Sequence, residues 1–169
     1  GIGVWVPDTL SPADLGARVA AIGKLKFIRV GKEIRANVVA VENVSGTADA
    51  FVRTVAAVAA LDLPMVLMSA QAAHVAKALE TCAAKKPLIH AATAETAEAF
   101  AKLAKEKSCP LAVSAPDLDA LAALTEKIKG LGVEDLVLDL SAKSVSAALQ
   151  MLSAVRYLAL KKKMRSLGY

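Results

Sequence analysis

A short apolar run, a small or polar residue at its end, then an alanine-rich amphipathic stretch: this phrase repeats along the chain and limits its folds more than any other feature. The runs lie at residues 2–6, 38–41, 65–68, 88–91, 111–113 and 136–138. After a longer first step they recur roughly every 23 to 27 residues, the length of one βαβ advance. Parallel strands with helices packed outside them follow from that rhythm. Ligands of such folds sit beyond the carboxyl ends of the strands, so those ends are where function is sought.

The intervening stretches carry helix signals. Ser11 is placed to cap a first helix with Pro12 at its first position, ending near Gly23. Helices are expected at residues 47–61, 71–83, 94–107, 118–129 and 144–162. The fourth is expected to bury Ala97, Phe100, Ala101 and Ala104, and the fifth Leu118, Leu121, Thr125 and Ile128. The last carries Val145, Leu149, Leu152, Val155 and Leu158 as its apolar face. Residues 24–37 break the pattern. Two strand-like fragments, 27–30 and 34–36, flank Gly31-Lys32-Glu33, and a small hairpin or an irregular connection is expected there. The main strands are continuous apolar runs, as expected where both sheet faces are covered.

The repeat makes about six βα units in one domain spanning 1–169. An eight-stranded barrel of the TIM type needs two more units, so the chain reads as an incomplete barrel. An open doubly wound parallel sheet is the alternative. No Gly-x-Gly-x-x-Gly follows any strand, so the usual dinucleotide loop is missing.

Composition excludes several classes. Apolar residues make up 56% of the 169, yet no uninterrupted run approaches the roughly 18 needed to span a bilayer. The densest, residues 54–61, lies between Arg53 and Asp62 and reads as a buried helix face. No leader is visible, and the expected location is the cytoplasm. The net charge of +5 owes much to Arg156, Lys161, Lys162, Lys163 and Arg165. Without interleaved aromatics this cluster reads as a solvated helix end, with no nucleic-acid or membrane partner. Cys82 falls on a helical core face and Cys109 at a strand entrance. Neither forms a C-x-x-C pair, so both read as structural thiols, and no metal site is expected.

The strand ends supply the candidate site: Asn43 after strand two, Ser69 after strand three, His90 and Thr93 after strand four, Ser114 and Asp117 after strand five, and Asp139 at the end of strand six. Thr93, Asp117 and Ser144 also stand where helix N-caps belong. His90 at a strand end has the chemistry of a proton carrier, with Asp117 or Asp139 as its orienting acid. His74, off the core face of its helix, reads as solvated. Ser114 lacks the Gly-x-Ser-x-Gly elbow of a serine nucleophile.

The same strand-end segments carry a resemblance. KPLIHAAT at 86–93, CPLAVSAPD at 109–117, GVEDLVLD at 132–139 and the ending from Arg156 to Tyr169 are, as an ordered set, similar to the central barrel of the corrinoid iron-sulfur protein large subunits. These are also the gamma subunits of acetyl-CoA decarbonylase/synthase complexes. The resemblance implies a TIM-type barrel between an amino-terminal domain holding a 4Fe-4S cluster on four cysteines and a carboxyl-terminal cobamide domain. It implies a methyl carrier in one-carbon metabolism. The methyl group passes from a methyl-pterin methyltransferase to acetyl-CoA synthase, and a smaller barrel subunit completes a heterodimer. Neither the cluster domain nor the cobamide domain falls within these residues, so the expectation is that this segment is not catalytic alone and holds neither cofactor. It departs from the family where Leu140-Ser141 replaces the Pro-Gly that commonly follows the aspartate, and where His90 replaces an aromatic. A second class stays open: a stand-alone α/β enzyme acting on a small polar or phosphorylated metabolite at the same rim, with His90 and Asp117 as its acid–base pair. A third is a structural fragment that pairs with another chain through open strand edges.

Overall fold

The computed structural model describes residues 2–168. The chain divides into two compact units, Gly1–Leu88 and Ile89–Tyr169. Each repeats the strand–helix alternation that the apolar rhythm predicts.

In the first unit, β1 (Gly3–Pro7) pairs in parallel with β4 (Val38–Glu42), and β4 in parallel with β5 (Met65–Met68). Helix α1 (Pro12–Lys24) begins where Ser11 and Pro12 place it. The Ser11 hydroxyl accepts from the Asp14 N–H and donates to the Asp14 carboxylate, so two polar groups at the helix entrance satisfy each other. Helices α2 (Ala48–Ala59) and α3 (Ala72–Cys82) follow β4 and β5. Their core faces bury Phe51, Val55 and Val58 on one and Val75, Leu79 and Cys82 on the other. The Lys85 ammonium donates to the carbonyls of Ala59 and Leu61, both at 2.7 Å, and so supplies the positive charge that a helix carboxyl end lacks.

The irregular stretch is a hairpin. β2 (Lys26–Arg29) and β3 (Lys32–Arg35) pair antiparallel around Val30 and Gly31, which have φ of +49° and +71°. Two consecutive positive φ values mark the primed turn whose twist matches the strands it joins. The turn therefore falls at 30–31 rather than over Gly31-Lys32-Glu33.

β6 (Leu88–Ala92), which belongs to the second unit from Ile89 on, runs parallel to β7 (Leu111–Ser114), and β7 to β8 (Leu136–Asp139). Between Ile89 and Ala92 the β6 register slips against β7, a bulge that carries His90 and Ala91. Helix α4 (Ala97–Lys107) buries the four predicted residues and Leu103. It starts three residues later than expected, because Thr93–Thr96 closes as a turn: the Thr96 N–H donates to the Thr93 carbonyl, and the Thr93 N–H to the Thr96 hydroxyl. Thr96, not Thr93, occupies the N-cap position. Helix α5 (Leu118–Gly130) buries Leu121, Thr125 and Ile128 but leaves Leu118 only partly covered.

The last helix, α6 (Val145–Lys161), corrects the sequence reading most. Val145, Leu149 and Leu152 are 88%, 67% and 58% exposed, and no residue of α6 is fully buried. Val155 and Leu158, further along the helix, are half-buried. Apolar residues extend over more than half of the helix circumference, so periodicity alone does not select the packed side. The strand faces also depart from uniform burial. β7 buries Leu111, Ala112 and Val113 in succession, whereas β4 and β5 alternate between fully and half-buried positions.

Candidate functional site

The carboxyl ends of the strands carry two separate polar clusters, one in each unit.

In the first unit the organising group is Asp8, directly after β1 and only 1% exposed. Its Oδ1 accepts from the Ser45 N–H at 2.8 Å. Its Oδ2 accepts from the Ser45 hydroxyl at 2.6 Å and from Asn43 Nδ2 at 2.7 Å. Burial pushes the Asp8 pKa up, but the Ser45 hydroxyl and N–H, the Asn43 amide and the Val44 N–H outweigh it and hold the carboxyl below its usual range. Asn43 is therefore oriented by acceptors. Its Nδ2 donates to Asp8 and to the Thr47 carbonyl, which leaves Oδ1 to accept from the Ser69 hydroxyl at 3.1 Å and from His74 Nδ1 at 2.8 Å. The structure thus brings Asn43 and Ser69 together. His74 joins them half-buried, not solvated as the helical pattern suggests. Asp8 was missing from the sequence-level candidates. Its signal was its place, directly after the first strand, the same criterion that selected Asn43 and Ser69.

In the second unit His90 Nε2 lies 3.0 Å from Asp139 Oδ2, with both side chains about 30% exposed. Burial raises the Asp139 pKa. The Ser141 N–H, the His90 ring and the Ser114 hydroxyl lower it further than that, so the group stays ionised and His90 Nε2 is the donor. The Ser141 N–H reaches Asp139 Oδ1 at 2.8 Å, and the Ser114 and Ser141 hydroxyls meet at 2.8 Å. Beside this cluster lies a cavity of about 420 Å³, with Thr93, Ser114 and Ser141 offering hydroxyls against Ala115, Pro116 and Leu124. Asp117 is not part of it. Its carboxylate accepts from the Ala120 N–H at 2.8 Å and caps α5, so the expected His90–Asp117 pair does not form and Asp139 is the acid at His90. Ser144 likewise caps α6, accepting from Ala147.

Among the described residues no group of three or more His, Cys, Asp or Glu side chains is placed to hold a metal ion. Cys82 and Cys109 are both buried, one at the end of α3 and the other just before β7. Two cysteines so placed do not make a four-thiolate set for an iron–sulfur cluster. Every buried side-chain nitrogen and oxygen among the described residues has a hydrogen-bond partner. No helix among them is long and apolar enough to cross a membrane.

A family model described as CO dehydrogenase/acetyl-CoA synthase delta subunit matches residues 1–169. The corrinoid/iron-sulfur protein large subunit of Moorella thermoacetica is 42% identical over 169 residues, covering 99% of this chain and 38% of that protein. The acetyl-CoA decarbonylase/synthase complex subunit gamma of Methanothermobacter thermautotrophicus is 32% identical over 137 residues, covering 80% of this chain and 30% of that protein. The chain thus spans well under half the length of the curated relatives it matches. The solved structure of Mycobacterium tuberculosis Rv1207 superposes with a TM-score of 0.60 over 95% of this chain and 70% of the other, at 19% identity, a likeness of fold.

Proposed function

The chain belongs to the family of CO dehydrogenase/acetyl-CoA synthase delta subunits, and on that premise we propose that it is the barrel segment of a corrinoid methyl carrier acting in the acetyl-CoA pathway. Its work in this reading is scaffolding and enclosure. The donor of the methyl group is a methyl-pterin methyltransferase, the acceptor is acetyl-CoA synthase, and a smaller barrel subunit is the structural partner. The corrinoid, when bound to the complete protein, supplies the cobalt chemistry of methyl carriage. This chain's residues supply surface and position. Thr93, Ser114 and Ser141 offer hydroxyls that both donate and accept at a half-open cavity, as a polar cofactor edge requires. Asn43, Ser69 and Asp139 are positioning residues whose bonding capacity goes into holding their neighbours. Asp117 keeps the carboxyl end of β7 rigid by capping the helix that leaves it.

The observation that carries this reading is the family match across all 169 positions together with 42% identity to a corrinoid/iron-sulfur protein large subunit. Its test is elemental analysis and absorption spectroscopy of the full-length parent protein. Cobalt, iron and a corrinoid spectrum are expected. A parent without cobalt removes the proposal.

One observation favours a second reading, an α/β enzyme acting on a small polar or phosphorylated metabolite. The His90–Asp139 pair has the geometry of an oriented base beside a cavity lined with hydroxyls. In that reading His90 Nδ1 takes the proton and Asp139 stabilises the imidazolium. Turnover unchanged by His90→Ala removes it.

A further inference from the structure

The β2–β3 hairpin concentrates the charge of the chain and buries almost nothing. Residues 24–35 carry five cations and one carboxylate, a net +4 where the whole chain has +5. The strand residues are exposed except Ile34, which is partly covered. Lys26 stands directly opposite Arg35, and Arg29 opposite Lys32. Like charges directly opposite each other destabilise a strand pair, and a two-stranded hairpin is marginal in water without a covered face. The register puts Lys26, Arg35 and Ile28 on one face, and Arg29, Lys32 and Phe27 on the other. Each face thus joins a like-charge pair to an exposed apolar side chain, with Phe27 48% and Ile28 77% exposed. Glu33 is committed to Lys26 at 2.8 Å, and Arg29 and Lys32 have no ion-pair partner among the described residues.

At the foot of the hairpin lies a cavity of about 340 Å³, lined by Ile22, Leu25, Leu61 and Leu63 together with Lys26 and Arg35. Asp62 is the one acid in its lining. Helices α1 and α2 end beside it, and their carbonyl ends draw cations. Lys24 in the last turn of α1 and Lys85 on the Ala59 and Leu61 carbonyls meet that need. Lys26, Arg29, Lys32 and Arg35 exceed it. Lysines also keep open strand edges from pairing with other chains, but that role calls for neither like-charge pairs nor an exposed Phe27 and Ile28 between them. We propose that the hairpin and the cavity at its foot are the docking site for an acidic segment of a partner protein. Carboxylates of that segment relieve the two repulsive pairs. Its apolar side chains cover Phe27 and Ile28 and enter the cavity. A phosphate backbone leaves the apolar side chains uncovered, and a flat bilayer leaves the cavity unfilled. Hairpin and cavity both lie within Gly1–Leu88, and neither depends on a corrinoid.

The test is fluorescence anisotropy of a labelled peptide of glutamate and leucine, titrated with the full-length parent protein. Binding is expected to weaken as salt rises, and to fall about ten-fold or more with glutamine in place of every glutamate. Arg29→Gln with Lys32→Gln should weaken binding about five-fold. The same double variant should slow amide exchange in β2 and β3, because it removes a repulsive pair. Were these residues merely structural, the hairpin would loosen and exchange faster. Ala60→Trp, which fills the cavity and leaves every charge in place, should also weaken binding about five-fold. Lys161→Gln with Lys162→Gln removes the same charge from the second unit and should leave binding within about two-fold. Absence of peptide binding overturns the proposal, and so does faster exchange in the Arg29/Lys32 variant. An equal loss from the Lys161/Lys162 variant, which means attraction to net charge alone, overturns it too. So does tighter binding to phosphatidylserine vesicles or single-stranded RNA than to the peptide.

Discussion

Asp8 and Ser45 are thirty-seven positions apart in sequence, yet the serine gives the aspartate both of its hydrogens, the hydroxyl at 2.6 Å and the N–H at 2.8 Å. The end of β1 is thereby tied to the loop after β4, and the charge is neutralised by dipoles instead of a cation.

Removing Asp8 should therefore cost more than its size suggests. Asp8→Ala leaves the Ser45 hydroxyl and the Asn43 amide short of an acceptor, and a loss of about 2–4 kcal/mol is expected in urea denaturation. Ser45→Ala, which removes one donor and leaves the Ser45 N–H bond in place, should cost about 1 kcal/mol.

The same carboxylate gives the fold an acid limit. The folded pKa of Asp8 lies below its ordinary value of 3.8, and that of Asp139 does too. A depressed carboxyl contributes stability that is fully present above the unfolded pKa and is lost as pH falls through the folded one. Stability should be insensitive to these groups at pH 5 and above, and fall progressively below about pH 4. Asp8→Asn should flatten that fall in a melting-temperature series against pH.

Val30 is 95% exposed at a positive φ, where a β-branched side chain is poorly accommodated. Val30→Asn creates the Asn-Gly pair that this turn favours. A gain of about 1 kcal/mol in local hairpin stability is expected, read as roughly five-fold slower amide exchange in β2 and β3. No slowing, or faster exchange, contradicts the turn geometry.

Leu149 and Leu121 test which side of each helix is packed. Leu149 is 67% exposed and Leu121 1%. Leu149→Lys should shift stability by no more than about 0.5 kcal/mol, whereas Leu121→Lys buries an unpaired ammonium and should unfold the second unit. Equal losses in circular-dichroism melts would mean that α6 packs as its periodicity suggests.

What could be read along the chain was whatever neighbours in sequence decide among themselves. Apolar run length and spacing foretold parallel strands with helices between them. Ser11-Pro12, Asp117 and Ser144 foretold helix starts, because a cap bonds to a backbone N–H three residues away. The failures were equally physical. Thr93 and Thr96 are both capable caps, and the choice between them turned on where β6 releases the chain. Two sides of α6 are apolar, and packing chose one. Asp8 with Asn43 and Ser45, His74 with Asn43, and His90 with Asp139 are pairs separated by dozens of residues. No local periodicity encodes a hydrogen bond between strand ends. The strand rhythm told which residues reach the carboxyl-end rim. Only the tertiary structure decided which of them touch, since that depends on the register between strands and on a bulge at His90 that no single segment specifies.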